Sequence, residues 1–125
     1  EGLNKPRHVT RAVWGLGKVG VGGNDMVTVV AFLAASVPPT SLLSYTSQEL
    51  SNLLWGLARL ACVDARCGCH AEQLALRLIG ESGKRVSTLT AQCMANSLWA
   101  IAKLGLRGPD AVTFALDCLE EMCSE

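Results

Sequence analysis

Apolar residues recur at intervals of three and four positions along two long stretches of this chain, as they do on one face of a helix. The stretches are alike in length and in the size of their apolar side chains. Their apolar positions are Leu50, Leu54, Leu57 and Leu60 in the first and Met94, Leu98, Ile101 and Leu104 in the second. Each set predicts an amphipathic helix whose apolar face is buried against a neighbouring helix.

Both stretches contain a tryptophan within a phrase that also occurs earlier in the chain. Trp14 is followed by Gly-Leu-Gly-Lys, Trp55 by Gly-Leu-Ala-Arg and Trp99 by Ala-Ile-Ala-Lys. Successive tryptophans are 41 and 44 residues apart. A period of this size is typical of solenoid proteins, whose units cannot bury their apolar faces alone. The sequence therefore predicts an all-α fold, specifically an α-solenoid of about three stacked antiparallel helix pairs.

We expect one helix around each tryptophan and refer to these three as the B helices. Thr46 and Thr90 each stand nine residues before a tryptophan, where an N-cap is expected, and Glu49 completes a capping box with Thr46. Gly20 and Gly105 fit a glycine stop at the other end. The predicted B helices cover about 6–19, 46–61 and 90–105.

A second set, the A helices, is predicted between them. Asp25 and Asp110 each stand eleven residues after a tryptophan and suit the positive end of a helix dipole. Three extra residues around 67–69 lengthen the middle unit. The predicted A helices cover about 25–36, 70–80 and 110–123. Residues 1–125 then form a single repeat array that begins and ends part-way through a repeat, so we expect further chain or partners at both ends.

Small residues recur immediately after each tryptophan and two positions later. Such residues let neighbouring helices approach closely. They are Gly15 and Gly17, Gly56 and Ala58, and Ala100 and Ala102.

Polar residues occupy a second face of each B helix at spacings of four, three and four, which place them on one side. We call this face the ladder. Stacked repeats would align amides, indoles and cations, which suits stacking, base-edge bonds and phosphate contacts with single-stranded RNA. The ladder consists of Arg7, Arg11, Trp14 and Lys18, then Gln48, Asn52, Trp55 and Arg59, then Gln92, Asn96, Trp99 and Lys103.

The same ladder allows a purely structural interpretation. The asparagines could bond between adjacent helices and the tryptophans could fill the grooves between repeats, because repeated residues usually serve repeat stacking. The two interpretations differ in the solvent access of the glutamines and of the basic side chains.

Charge and composition exclude some classes of protein. Eleven basic and eleven acidic residues give a net charge of zero, which argues against binding to nucleic acid through bulk charge but not against a basic stripe. No apolar run reaches the length of a membrane-spanning helix. The longest candidate, residues 26–37, is short enough to be a core helix.

Candidate chemistry is sparse. We expect Cys62 in the core, and Cys67 and Cys69 as free thiols in a loop, because the neighbouring His70 and these cysteines lack the second ligand pair of a zinc site. No nucleophile motif, phosphate-binding loop or pair of catalytic carboxylates is recognisable. The sequence thus predicts no enzyme, no metal or cofactor and no small-molecule substrate.

The second and third B helices resemble the octotricopeptide repeat and related helical-pair repeats that accompany RAP domains in organellar proteins. Residues 48–60 and 92–105 are similar to the pattern Gln-x-Leu-Ala-Asn-x-Leu-Trp-Ala-Leu-Ala-Lys-Leu-Gly. The first unit departs from it, with Arg7 and Arg11 in place of Gln and Asn. The spacing is also a few residues longer than the family's usual unit.

The resemblance implies an RNA-binding protein of mitochondria, or alternatively chloroplasts, and a structural component of a mitochondrial ribosome that contacts rRNA and neighbouring proteins. The competing hypothesis is a protein–protein scaffold without RNA contact. Zero net charge favours the scaffold, whereas the recurring cations favour RNA. The residues predicted to bind RNA are Arg7, Arg11, Lys18, Gln48, Asn52, Arg59, Gln92, Asn96 and Lys103.

Overall fold

The computed structural model describes residues 5–19 and 23–124, whose regular secondary structure is entirely helical, with no strand. Three short 3-10 helices accompany the six α-helices that these residues form. The 3-10 helices are Pro39–Ser44, Ala65–Cys67 and Val86–Thr88. The α-helices are α1 (Pro6–Val19), α2 (Asn24–Ser36), α3 (Ser47–Val63), α4 (Gly68–Gly83), α5 (Ala91–Leu104) and α6 (Pro109–Cys123). The all-α prediction is confirmed.

Each observed α-helix overlaps the range predicted for it, so α1, α3 and α5 are the B helices and α2, α4 and α6 are the A helices. The largest difference is in the middle unit. There α3 continues to Val63, and α4 begins at Gly68 and runs to Gly83. The extra residues of this unit therefore extend helices and form a 3-10 turn.

The predicted helix ends follow from local hydrogen bonds. Thr46 Oγ1 accepts from the backbone N–H of Glu49 at 3.1 Å, and Glu49 Oε1 accepts from the Thr46 N–H at 2.8 Å, which completes the capping box. Thr90 Oγ1 likewise accepts from the Cys93 N–H at 3.1 Å. Gly105 ends α5 in the left-handed region with φ 69°, which favours glycine. Gly20 lies outside the described residues.

The B helices pack side by side, with α3 between α1 and α5, and the A helices pack in the same order, with α4 between α2 and α6. Contacts of α3 with α4 and of α5 with α6 join the two sets. The apolar stripe of α3 is completely buried, including Leu54 and Leu57, and Leu74 and Leu78 of α4 are buried with it. The core therefore lies between the B and A helices. No helix of the described chain is long and apolar enough to cross a membrane.

Two of the small residues allow α1 and α3 to touch. A Cβ on Gly56 would lie 2.9 Å from Val13 Cγ1 and 3.1 Å from the Val13 carbonyl carbon and oxygen. A Cβ on Gly17 would lie 3.1 Å from Arg59 Cβ. The prediction of close approach is confirmed at these two positions and is wrong at two others. A Cβ on Gly15 would meet no described atom within 4 Å, and Ala102 is exposed, because each faces the side of its helix away from α3.

Arginines of the middle unit bind backbone and side-chain oxygens of the preceding unit. Arg77 donates to the carbonyl oxygens of Ala34 and Val37, near the end of α2. Arg85 donates to the Tyr45 carbonyl oxygen at 2.7 Å and to Glu81 Oε2 at 2.7 Å. These bonds satisfy carbonyl groups that a helix end or a turn leaves without a partner.

Arg66 forms a third such contact. It donates to Asn24 Oδ1 at 2.6 Å and to both carboxylate oxygens of Asp64. Asp64 Oδ2 in turn accepts from the Gly23 N–H at 3.3 Å. The hydrogen bonds from Arg66 hold the pKa of Asp64 well below its usual range. The start of α2 is thus attached to the turn that follows α3.

Two expectations about cysteine are wrong. Cys62 is exposed, because α3 continues past it, whereas Leu106 at the corresponding position follows the left-handed Gly105 and is buried. Cys67 is a free thiol as expected, but it is buried at the end of a 3-10 helix and does not lie in an open loop; burial raises the pKa of its thiol. Cys69 is exposed in the first turn of α4.

The contact at Gly56 generates a paired prediction. Gly56→Ala places a methyl group against backbone atoms of Val13 that cannot rotate away, so we expect the free energy of unfolding to fall by about 1–3 kcal/mol. Gly15→Ala adds the same methyl group in open space. Because alanine is a better helix former than glycine, this substitution should raise the free energy of unfolding by about 0.5–1 kcal/mol. Urea unfolding of both variants measures the difference. Equal effects of the two substitutions would show that the helices do not touch at Gly56.

Tyr45, the single tyrosine of the chain, is 2% exposed and supplies a pH test. Burial, and secondarily the negative charge of Glu49, raise the pKa of Tyr45 to about 12 from the ordinary 10.0. Because the folded state holds the phenol proton more tightly, the free energy of unfolding is unaffected below about pH 10 and decreases from there towards pH 12. Ultraviolet absorbance of tyrosinate should titrate near 12 in the folded protein and near 10 in denaturant. A folded-state midpoint near 10 would mean that Tyr45 reaches solvent.

Candidate nucleic-acid interface

The three tryptophans form one continuous row, which we call the tryptophan spine. The ring centroids of Trp14 and Trp55 are 6.2 Å apart at an interplanar angle of 38°. Those of Trp55 and Trp99 are 6.1 Å apart at 27°. Both distances lie in the range of favourable aromatic pairs. Equivalent positions of the B helices therefore lie side by side, and each indole pairs with the next.

Three cations lie against the spine. Lys18 Nζ is 5.0 Å from the ring centroid of Trp14 and 5.9 Å from that of Trp55. Arg59 Cζ is 5.9 Å from the centroid of Trp55, and Lys103 Nζ is 5.6 Å from that of Trp99. At exposed sites a cation–π contact contributes about 0.5–1 kcal/mol. The rings thus hold the three cations in a row on one side of the B helices.

The amides of the ladder pair along the same helix. Gln48 Nε2 donates to Asn52 Oδ1 at 3.0 Å, and Gln92 Nε2 donates to Asn96 Oδ1 at 3.2 Å. The hydrogen bond that joins an amide of the α3 ladder to α5 comes from the weak thiol donor Cys93 Sγ, 3.7 Å from Gln48 Oε1. The asparagine bonds between helices that the structural interpretation requires are therefore not formed by the described residues. Gln92 Oε1 and the Nδ2 groups of both asparagines form no hydrogen bond within the described residues, whereas both ends of the Gln48 amide are engaged.

Solvent access separates the parts of the ladder. The half-buried members are Asn52, Arg59, Asn96, Trp55 and Trp99. The exposed members are Arg7, Arg11, Lys18, Gln48, Gln92 and Lys103, with Trp14 at 40%. The glutamines and four of the five cations are thus accessible, as the RNA interpretation requires, whereas the indoles mainly pack against one another.

None of the ladder cations forms an ion pair within 4 Å among the residues that the structure describes. The ion pairs at that distance join Arg66 to Asp64 and both Lys84 and Arg85 to Glu81. All of these lie in the A helices or in the turns beside them. The nearest approach of an acid to the ladder is at Arg7, which lines a surface depression together with Glu49.

Charge is distributed unequally between the two sets of helices, which the sequence analysis missed. Counting Asp, Glu, Lys and Arg, the B helices carry five basic residues and one acidic residue, Glu49. The A helices carry one basic residue, Arg77, and seven acidic residues. The acids of the A helices are Asp25, Glu72, Glu81, Asp110, Asp117, Glu120 and Glu121. A count made helix by helix would have found this, whereas the count over the whole chain gave zero.

Metal chemistry has no support in the described ranges. Within residues 5–19 and 23–124, no group of three or more His, Cys, Asp or Glu side chains is arranged to hold a metal ion. Cys69 and His70 are adjacent in sequence, but Cys67 is completely buried.

Comparison with known proteins gives no relative: no protein-family model, no curated protein and no solved structure matches this chain. The similarity of the second and third B helices to the octotricopeptide pattern stays an expectation from their sequence.

The spine generates a stability prediction. Trp55 takes part in two ring pairs and Trp14 in one. Trp55→Leu should therefore lower the free energy of unfolding by about 0.5–1.5 kcal/mol more than Trp14→Leu does. Urea unfolding measures the cost, and near-ultraviolet circular dichroism reports the coupled indoles. If the two variants lose the same free energy and the spectrum of the Trp55 variant keeps its shape, the rings do not stabilise one another.

Proposed function

We propose that this chain is an RNA-binding helical-repeat protein of an organelle and that its B helices bind the RNA. The proposal rests chiefly on the unequal charge. Five basic side chains lie on three adjacent helices, four of them exposed, with no carboxylate within 4 Å among the described residues. A row of cations on one side is the electrostatic footprint expected of a protein that contacts phosphates.

The proposed architecture is an α-solenoid, in which each B and A helix pair stacks on the next. Three kinds of contact support it. Equivalent indoles pair, small residues meet at Gly56 and Gly17, and arginines bind oxygens about one unit earlier in the chain. Stacked pairs of this kind present an extended surface, here the ladder.

The contacts of the spine indicate how RNA would bind. Trp55 has an indole on either side, and Trp14 and Trp99 each have an indole on one side and a lysine within 5.6 Å of the ring centroid. A base therefore cannot insert between the rings without separating α1, α3 and α5. We propose that the cations contact phosphates and that the free edges of the amides contact the sugar or the bases.

The cellular setting follows from the resemblance and not from the geometry. We propose a structural role in a mitochondrial ribosome, with rRNA as the ligand. The alternative is a protein–protein scaffold with no RNA contact. The acidic A helices favour a protein contact on the other side of the molecule, and such a contact is compatible with RNA bound to the B helices.

Charge reversal tests the RNA surface. We expect Arg59→Glu with Lys103→Glu to weaken binding of a labelled single-stranded RNA at least about tenfold, because two phosphate contacts become repulsive. The matched control, Lys84→Glu with Arg107→Glu, makes the same change of net charge outside the B helices and should weaken binding less than about threefold. Fluorescence anisotropy gives the affinities, and thermal unfolding shows whether each variant folds. Equal losses in the two variants would mean that the ladder is the wrong surface.

The same titrations distinguish phosphate contact from base stacking. If all five ladder cations meet phosphates, the slope of log affinity against log salt for a single strand approaches about −3.5. An oligouridine and a mixed-sequence strand of equal length should then bind alike. A shallow slope together with a strong preference for one sequence would contradict phosphate contact. No binding of any strand would contradict the proposed function itself.

Crosslinking of the native protein tests the proposed place in a mitochondrial ribosome. Crosslinks from residues 48–59 and 92–103 to rRNA would support an assembly role. Crosslinks to neighbouring proteins alone would favour the scaffold.

A further inference from the structure

Helix α6 has two apolar faces. The first, formed by Ala111, Phe114 and Cys118, is buried. Helix α6 packs against α4. The second consists of Val112, Leu116 and Leu119, which are 49%, 60% and 50% exposed. We call these three residues the α6 stripe. Their spacing of four and three places them on one side of the helix. A stripe of large apolar side chains at this spacing is the usual docking face for another helix.

Acids border the α6 stripe on one side. At about 100° per residue, Glu120 lies next to the stripe, and Asp117 lies further round towards the buried face of α6, where it also lines a depression between α4 and α6. Together with Glu121 they line an open depression next to Val86. Helix α6 carries four acidic residues and no basic residue. An occupant of the stripe must therefore satisfy an apolar surface and a negative edge at the same time.

The charge of this edge discriminates among occupants. A second copy that docked through the same face would add its own Asp117 and Glu120 to the interface, where α6 offers no basic residue to pair with them, and like charges at an interface oppose association. An anionic lipid surface is opposed by the same repulsion. A helix with an apolar face and Lys or Arg along one edge gains both contacts.

We propose that the α6 stripe is a docking site for an amphipathic helix of another protein whose basic residues lie along one edge of its apolar face. Leu116 and Leu119 supply most of the apolar contact. Asp117 and Glu120 pair with the basic edge and fix the direction and register of the bound helix. The ladder lies on the opposite side of α5 from the buried Met94 and Ile101, so RNA on the B helices leaves the stripe accessible. The proposal does not depend on RNA binding.

The probe is a synthetic amphipathic helix of about five turns, with leucine along one face and lysine along one edge. A matched peptide carries glutamate in place of lysine. We expect the lysine peptide to bind the full chain and to shift the backbone amide resonances of 110–123 more than those of α1. Leu116→Ser with Leu119→Ser should weaken its binding at least about tenfold, because two apolar anchors are lost.

Matched variants separate docking from general attraction. Val29→Ser with Phe32→Ser removes exposed apolar residues of α2, 40% and 52% exposed, and should leave the affinity unchanged. Asp117→Asn with Glu120→Gln should weaken binding of the lysine peptide and reduce its salt dependence. Thermal unfolding of each variant confirms that it is folded.

Several outcomes would overturn the proposal. One is failure of the lysine peptide to bind, and another is equal binding of the glutamate peptide. If the lysine peptide binds the folded Leu116→Ser, Leu119→Ser variant as tightly as the unmodified chain, the attraction comes from charge alone. Sedimentation that reveals self-association of the chain, abolished by the stripe variant, would identify a second copy as the occupant.

Discussion

The contact of Gly56 with the backbone of Val13 determines how closely α1 approaches α3. Atoms within 3.1 Å of where a side chain would begin leave no room for one. At this separation the indoles of Trp14 and Trp55 come within 6.2 Å of each other, and Lys18 lies near both rings. The absence of one side chain thus allows the first two rings of the spine to pair, and these rings position Lys18 on the proposed RNA surface.

Local chemistry was readable from the sequence, and tertiary position was not. Thr46, Thr90 and Gly105 cap helices through groups a few residues away, so short patterns predicted them correctly. The prediction that Cys62 is buried was wrong because its position depends on how far α3 continues. The prediction of close approach at Gly15 was wrong because no neighbouring helix of the described chain packs against the side of α1 on which Gly15 lies. The spacing of the ladder predicted one shared face, but whether its indoles would meet each other or a base depends on the distance between helices.

In the candidate site, the sequence predicted which residues form the ladder but not how charge is distributed between the two sets of helices. The ladder residues were found by their periodicity, and the glutamines and four of the five cations are accessible as the RNA hypothesis requires. The net charge of zero, which had favoured a scaffold, conceals a basic set and an acidic set of helices, and residues outside the α-helices balance the remainder. Opposite charge on the two sets gives the molecule two surfaces with different preferences, so that RNA and protein hypotheses need not exclude each other.

The arginine bonds between units all run in one direction. Arg66, Arg77 and Arg85 reach oxygens of residues that lie 40 to 43 positions earlier in the chain. On a ribosome, residues around Asn24, Val37 and Tyr45 therefore emerge without the side chains that complete their hydrogen bonds. The first unit therefore gains these hydrogen bonds only when the middle unit has been synthesised and packed. Its carbonyl groups are completed by side chains that leave the exit tunnel some forty residues later.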